Sequence, residues 1–199
     1  MTGAVDASAP GKLVLTGEYA VLDGAPAVSM AISRRAIVRV EPASDFCVRA
    51  PGFLSGSVRF AVDADGRLRW LAGDPDVRRR LALVDRVVAP LLAGRAPAPF
   101  ALRLDTRAFF AADGRKLGLG SSAALTAALS AALTRHLGLP AQTPDAFLAA
   151  ALERHRRVQG GRGSGVDLAT SLHGGVIEYT LERAAPASRR PGFQLSKEY

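Results

Sequence analysis

Residues 114–133, GRKLGLGSSAALTAALSAAL, place a glycine-containing turn directly before an alanine-rich segment. Alanine and leucine favour helix, so the pattern predicts a helix that follows the glycine turn and ends near Leu137, before Gly138 and Pro140. A helix N-terminus presents unpaired N–H groups and a partial positive charge. The small residues of the turn would let an anionic group, such as a phosphate, come close to these amides.

Two other nucleotide-binding motifs and a purely structural role are alternative interpretations of this glycine turn. Gly118, Gly120 and Ala123 match the spacing of the dinucleotide-binding fingerprint, but that motif follows the first strand of a βαβ unit and this one lies in mid-chain. A Walker loop ends in Gly-Lys-Ser/Thr, whereas here Lys116 precedes the glycines. A glycine-capped core helix without any ligand stays open on these residues alone.

The rest of the chain predicts strands first and helices later. Strands are expected in KLVLTGEYAVL, in PAVSMAISRRAIVRVEPA as two strands joined at residues 33–35, and in PFALRLDT. Asp65-Gly66 predicts a hairpin, and PDVRRRLALVDRVVAPLL has one amphipathic helix face. Two further helices, one starting at Thr143-Pro144 and one after Gly165, precede the strand GVIEYTL. This order predicts an α+β fold rather than a doubly wound sheet.

Composition limits the kinds of protein and of partner. An apolar fraction of 48% excludes a disordered chain. Lys and Arg number 26 against 18 Asp and Glu, a net charge of +8 that favours nucleic acid, acidic membrane or phosphorylated small molecules. An arginine-rich composition without a functional basic surface stays open. The single cysteine, the lack of a signal-peptide pattern and the lack of a membrane-length apolar run predict a cytoplasmic protein with no membrane partner.

Two more segments extend the glycine motif. APGKLVLTGEYAVLDG places Lys12 at a strand start, ahead of Gly17-Glu18, and VQGGRGSGVDLATSLHGG places Asp167 after a second glycine-rich turn. Together with GLGSSA, these segments resemble the three motifs of the GHMP kinases over residues 9–181. The resemblance implies an α+β fold like domain 2 of ribosomal protein S5, with helices packed on a mixed, mostly antiparallel sheet.

The resemblance also implies a domain organisation. Residues 1–183 are expected to form the N-terminal ATP-binding domain of a GHMP kinase, and residues 184–199 a linker-like tail. The family's C-terminal domain is absent from these residues, so we expect it as a missing partner. The N-terminal domain would then expose the apolar surface that normally packs against the missing domain. Self-association, for example as a homodimer, therefore stays an open expectation.

Site residues follow from the same resemblance. Lys12 and Asp167 would be catalytic and would pair with each other; Asp167 would act as general base for an alcohol acceptor or would orient a phosphate acceptor. The phosphates of ATP would contact Lys116, Gly118, Leu119, Gly120, Ser121, Ser122 and Ala123. The acceptor would contact Glu18, Tyr19, Arg162, Ser164 and Gly165. Mg²⁺ would be bound by Ser122 and by Glu153, although Glu153 as a solvated helix charge stays open.

Details within the family favour one branch. Phosphomevalonate kinases carry a pattern that His155, Gln159 and the GSGVD turn match, and a basic residue at Lys116. We therefore expect an ATP- and Mg²⁺-dependent kinase that phosphorylates 5-phosphomevalonate, with mevalonate kinase or another GHMP kinase as the alternative. Four arginines could bind the phosphate of such an acceptor or form a solvated helix face, namely Arg154, Arg156, Arg157 and Arg162.

A non-catalytic fragment or nucleic-acid-binding module is the alternative from another class. The basic charge and the S5-like fold favour it. The basic residues are not interleaved with aromatic residues, as in proteins that bind single strands. We therefore expect a small-molecule kinase without a nucleic-acid partner.

Overall fold

A computed structural model describes residues 3–71, 74–158, 163–181 and 193–196. This part of the chain contains eight strands and four α-helices. The strands are β1 (Val5–Thr16), β2 (Ala27–Pro42), β3 (Cys47–Arg49), β4 (Ser57–Val62), β5 (Leu68–Trp70), β6 (Phe100–Asp105), β7 (Val176–Leu181) and β8 (Phe193–Ser196). The helices are α1 (Pro75–Leu92), α2 (Ser121–His136), α3 (Pro144–Val158) and α4 (Val166–His173).

The sheet is mixed and mostly antiparallel, in the order β5-β4-β3-β6-β2-β7-β8. Strand β1 lies outside this order and pairs with β2 on the edge opposite β6 and β7. Among the described pairs, β3 with β6 is parallel and the others are antiparallel. Helices α2 and α4 pack on β1 and β2, while α1 and α3 pack against each other and α2. The predicted α+β fold, with helices packed on a mostly antiparallel sheet, is confirmed.

Strand β2 differs from its prediction as two strands. It is one element of 16 residues, paired with β1 on one edge and with both β6 and β7 on the other. The polar stretch at residues 33–35 is an irregularity within the strand, because the register with β1 shifts at Pro10/Gly11. A bulge bends a strand without ending it, so the polar interruption in the sequence does not separate two strands.

The core lies between the sheet and the helices. On the sheet side it contains alternate β2 residues, such as Val38 and Val40, which are fully buried. On the helix side, α2 contributes small residues that let its backbone approach the sheet closely: Ala123, Ala124, Ala127, Ala128 and Ala132, each at most 1% exposed. The alanine-rich segment that begins at Ser121 is therefore the central core helix.

Local signals place the starts of two helices where the sequence predicts them. Asp74 caps α1 by accepting a hydrogen bond from the Asp76 N–H at 2.8 Å, and Pro75 is the first helical residue. At α3, Thr143 Oγ1 accepts from the Ala146 N–H at 3.2 Å.

Among the described residues, no helix is both long and apolar enough to cross a membrane.

The stretch 184–199 contains a strand where the sequence predicts a linker-like tail. Residues Phe193–Ser196 form β8, which pairs antiparallel with β7 from Glu178 to Leu181. Four residues are too few for a period to be recognised in the sequence, and the open edge of β7 supplies the hydrogen bonds that define the strand.

Candidate active site

Lys12 lies on β1 and faces the helices. Its side chain is 10% exposed, and its backbone N–H donates to the Leu119 carbonyl at 3.0 Å. This bond joins β1 directly to the glycine turn. The close approach requires Gly11, because a Cβ at this position would lie 2.5 Å from the Leu119 oxygen and 2.6 Å from the Phe109 ring.

The glycine turn leads into α2 through two residues with left-handed backbone conformation. Gly118 has φ of 74° and Gly120, the N-cap, has φ of 78°. Among the described residues, no side chain caps this helix N-terminus. Because the first amides of a helix have no intrahelical partner, the N–H groups of the first turn are available to an anion. Ser121 is buried and Ser122 is half-buried.

Asp167 lies in the first turn of α4, where a carboxylate is favoured by the helix dipole. The preceding Gly165 is the N-cap with φ of 90°, and a Cβ there would collide with the Leu152 side chain of α3. Buried Tyr179 on β7 donates its hydroxyl hydrogen bond to the Ser164 carbonyl at 2.6 Å. Residues of α3 and β7 therefore hold the turn before α4 in place.

An ion pair brings β1 and α4 together at the glycine turn. Lys12 Nζ lies 2.9 Å from Asp167 Oδ1, and the Asp167 side chain is 31% exposed. The aliphatic part of the lysine lies against Gly120, where a Cβ would come within 2.8 Å of Lys12 Cγ. A buried ammonium group, a carboxylate and an uncapped helix N-terminus therefore meet at one place.

A pocket of about 280 Å³ opens beside the first turn of α2. Ser121, Ser122 and Lys116 contribute polar groups. The remaining lining is mainly apolar and comes from α1, α2, β6 and two loops, including Leu81, Val84, Leu104 and Phe110. Its volume is close to the lower end, about 300 Å³, of typical ligand pockets, which combine apolar walls with a few polar groups. The glycine turn and the first turn of α2 thus lie next to both the ion pair and an apolar pocket.

Several predicted site residues are exposed or lie outside the described residues. Glu18 and Tyr19 are exposed, and Tyr19 precedes the short 3₁₀ helix Ala20–Asp23. Lys116 is exposed at the rim of the pocket. Arg162 lies outside the described residues, as does Gln159 of the branch pattern. Glu153 is exposed on α3.

The sequence predicts that Arg154 either binds the phosphate of the acceptor or lies on a solvated helix face, and the structure shows a different environment. It is 9% exposed within α3, and its Nε has no hydrogen-bond partner among the described residues. Burial lowers the pKa of this guanidinium. Arg154 is therefore a buried cation rather than part of a solvated helix face; the side chains of Arg156 and Arg157 lie outside the description.

The donor groups near the ion pair fit Mg²⁺ that arrives with a nucleotide. Within the described residues, no group of three or more His, Cys, Asp and Glu side chains could hold a metal ion. Mg²⁺ commonly keeps several waters and binds through one or two carboxylates together with substrate phosphates. The Asp167 carboxylate and the Ser122 hydroxyl suit that mode of binding.

Two residues of the pocket wall are absent from the sequence-based list. Phe53, on the loop between β3 and β4, and Arg80, on α1, both line the pocket. The loop sequence PGFLSG predicts a turn, but nothing in it indicates that its phenylalanine lines a pocket together with residues of α1 and α2.

Known proteins match this chain in sequence and in fold. Residues 85–175 match the family model of the GHMP kinases N terminal domain. A phosphomevalonate kinase of Streptomyces sp. (strain CL190) is 38% identical over 181 residues, which cover 86% of this chain and 48% of that protein. A mevalonate kinase of Methanothermobacter thermautotrophicus is 32% identical over 180 residues, which cover 89% of this chain and 50% of that protein.

The chain spans about half the length of the curated relatives it matches. Among solved structures, Streptococcus pneumoniae phosphomevalonate kinase in complex with phosphomevalonate and AMPPNP matches with a TM-score of 0.74 at 20% identity, over 97% of this chain and 58% of that one. This likeness shows the fold, and the sequence matches agree with it. The chain therefore belongs to the GHMP kinase family, of which it contains the N-terminal domain.

Proposed function

We propose that this chain is the ATP-binding half of a kinase that transfers the γ-phosphoryl group of ATP to 5-phosphomevalonate. The observation that carries the proposal is the Lys12–Asp167 ion pair, 2.9 Å long, next to the uncapped N-terminus of α2. Phosphoryl transfer depends mainly on positioning and on charge stabilisation. A fixed ammonium group beside free helix amides supplies both.

ATP would lie along the glycine turn. Its phosphates would accept hydrogen bonds from the first amides of α2 and from the hydroxyls of Ser121 and Ser122. The base of ATP would occupy the apolar pocket beside the same two serines. Lys116 at the rim of the pocket would attract the negatively charged phosphates. The γ-phosphate would then face Lys12 and Asp167.

In the transfer step, an oxygen of the acceptor phosphate forms a bond to the γ-phosphorus. The bond from that phosphorus to the oxygen bridging the β- and γ-phosphates breaks, and ADP leaves with the electron pair. Lys12 stabilises the charge on the transferred group, and Asp167 holds Lys12 and orients the acceptor. A phosphate acceptor is already largely ionised near neutral pH, so it hardly needs a general base.

When bound, Mg²⁺ would neutralise charge on the phosphates of ATP. Ser122 and Asp167 are the described residues whose oxygens suit it best. Glu153, which is exposed on α3, remains a third proposed ligand.

The choice of acceptor rests on the relatives. The Streptomyces relative, 38% identical, is a phosphomevalonate kinase. The second candidate is mevalonate, because mevalonate kinases also match at 32% and 28% identity. With that alcohol as acceptor, Asp167 would accept the proton of the hydroxyl group.

ADP release in the presence of Mg²⁺ and ATP tests the proposal. The 199-residue chain and a fusion with the C-terminal half of the Streptomyces relative are each supplied with 5-phosphomevalonate or with mevalonate. We expect turnover with 5-phosphomevalonate, at least in the fusion. Turnover with mevalonate alone would support the second candidate. Absence of both turnover and ATP binding in the chain and the fusion would contradict a kinase function.

A further inference from the structure

The outer wall of the apolar pocket is a loop joined to α1 by one arginine. Phe53 lies on the loop at residues 51–56, where Gly52 and Gly56 have φ of 77° and 107°. The Phe53 side chain is 39% exposed although it is large and apolar. It lines the pocket together with Arg80, Ser121 and Ser122.

Arg80 makes three contacts that fix this loop relative to α1. Its guanidinium carbon lies 5.7 Å from the centroid of the Phe53 ring. Its Nη1 donates to the Phe53 carbonyl at 3.2 Å, and its Nε donates to Asp76 Oδ2 at 2.8 Å. Asp76 also accepts from Arg79 Nη2 at 3.0 Å, but Arg79 does not line the pocket.

These contacts contribute little to overall stability, because the side chains of Arg80 and Asp76 are each 49% exposed. Their geometric effect is larger. The arginine holds both the ring and the backbone of Phe53, so it sets the distance between the loop and the opposite pocket wall on α2. A half-exposed aromatic ring at the wall of a pocket is available to stack on a flat ligand.

We propose that Phe53 stacks on the purine base of the bound nucleotide and that Arg80, held by Asp76, is the positioning residue for Phe53. This inference rests on the proposed ATP-binding function, because it assigns the base to the apolar pocket. Aromatic side chains stack on bases without reading their edges. Phe53 therefore contributes to the affinity for purine nucleotides in general, rather than to a choice between ATP and GTP.

Binding of two probes by the 199-residue chain separates the base from the phosphates. Affinity for Mg²⁺-ATP is measured by calorimetry alongside affinity for Mg²⁺ with inorganic triphosphate, which has no base. We expect Phe53→Ala to weaken ATP binding about tenfold, within the range for base stacking, and to leave triphosphate binding unchanged. Phe53→Leu, which keeps apolar bulk without the ring, should lose part of that affinity.

Arg80 is tested through its effect on Phe53. Arg80→Gln should weaken ATP binding about threefold to fivefold and leave triphosphate binding unchanged. In the Phe53→Ala background the same change should have no further effect, because the residue that it positions is gone. Arg79→Gln is the matched control: it removes a neighbouring arginine bonded to the same Asp76 and should change neither affinity.

The two proposals fail in different ways. If wild-type protein binds ATP and Phe53→Ala binds it equally well, the stacking role is wrong while the proposed function stands. Equal losses for ATP and triphosphate in Arg80→Gln would make Arg80 a phosphate ligand and overturn its positioning role. If neither the wild-type chain nor its fusion with the C-terminal half of the Streptomyces relative binds either probe, the proposed function fails and this inference fails with it.

Discussion

The side chain of Lys12 occupies the space that a side chain on Gly120 would need. A Cβ on Gly120 would come within 2.8 Å of Lys12 Cγ, while the other end of the lysine reaches Asp167 at 2.9 Å. The absence of a side chain at Gly120 therefore leaves room for the lysine as well as permitting the backbone turn into α2.

Gly120→Ala should destabilise the protein more than Gly118→Ala. Both glycines have positive φ, so backbone strain should lower the free energy of unfolding of each alanine variant by about 1 kcal/mol. Only Gly120→Ala also displaces a buried side chain, because a Cβ at Gly118 would meet nothing within 4 Å. Urea unfolding measures the difference, which should shrink in a Lys12→Ala background. Equal losses in the two single variants would contradict the steric role of Gly120.

Asp167→Asn should reduce turnover by about 10²- to 10³-fold, in the assay proposed above, while the far-UV circular dichroism spectrum is retained. The amide keeps the size of the side chain but removes the charge that holds Lys12. Asp113→Asn is the control, because Asp113 forms an exposed ion pair with Arg115 at 3.7 Å. Wild-type turnover in Asp167→Asn would contradict the proposed catalytic role.

Tyr179→Phe should lower the free energy of unfolding by about 1–2 kcal/mol. The change removes the donor to the Ser164 carbonyl, which then lies near a buried ring without that hydrogen bond. Tyr19→Phe makes the same chemical change at a side chain that is 79% exposed and should have no measurable effect. Chemical denaturation checks both, and an equal effect in the two variants would contradict the prediction.

Arg154→Leu should raise the free energy of unfolding by about 1–2 kcal/mol. A buried guanidinium whose Nε has no described hydrogen-bond partner carries a desolvation cost that leucine does not. The lowered pKa of Arg154 has the same cause. Arg79→Leu, at a side chain 80% exposed, should change stability by less than about 0.5 kcal/mol. A clear loss of stability in Arg154→Leu would mean that the cation has an essential partner.

The sequence predicts best those features whose cause is local. Thr143-Pro144 marks a helix start because the capping group is adjacent in the chain. Asp65-Gly66 marks the β4–β5 hairpin because Gly66 supplies the positive φ that the turn requires. The Lys12–Asp167 contact follows from the family resemblance rather than from local chemistry.

Features that depend on packing were not predictable in this way. The polar residues at 33–35 gave no sign that β2 continues through them, because this depends on its pairing with β1. Nothing local to Phe53 indicates a pocket wall, since α1 and α2 complete it. Arg154 has the sequence surroundings of a surface residue, and only the packing of α3 buries it.

The ion pair also has a consequence for the order of events during protein synthesis. Lys12 precedes the segments that form α1, α2 and α3 in the chain, so the ribosome makes it before them, whereas Asp167 follows those segments. A nascent chain that ends after α2 already contains the residues of the glycine turn, but it lacks the carboxylate that fixes the lysine. The charge arrangement that we propose for phosphoryl transfer can therefore form only after α4 has been translated and has docked on β1, so chains that end before α4 do not contain it.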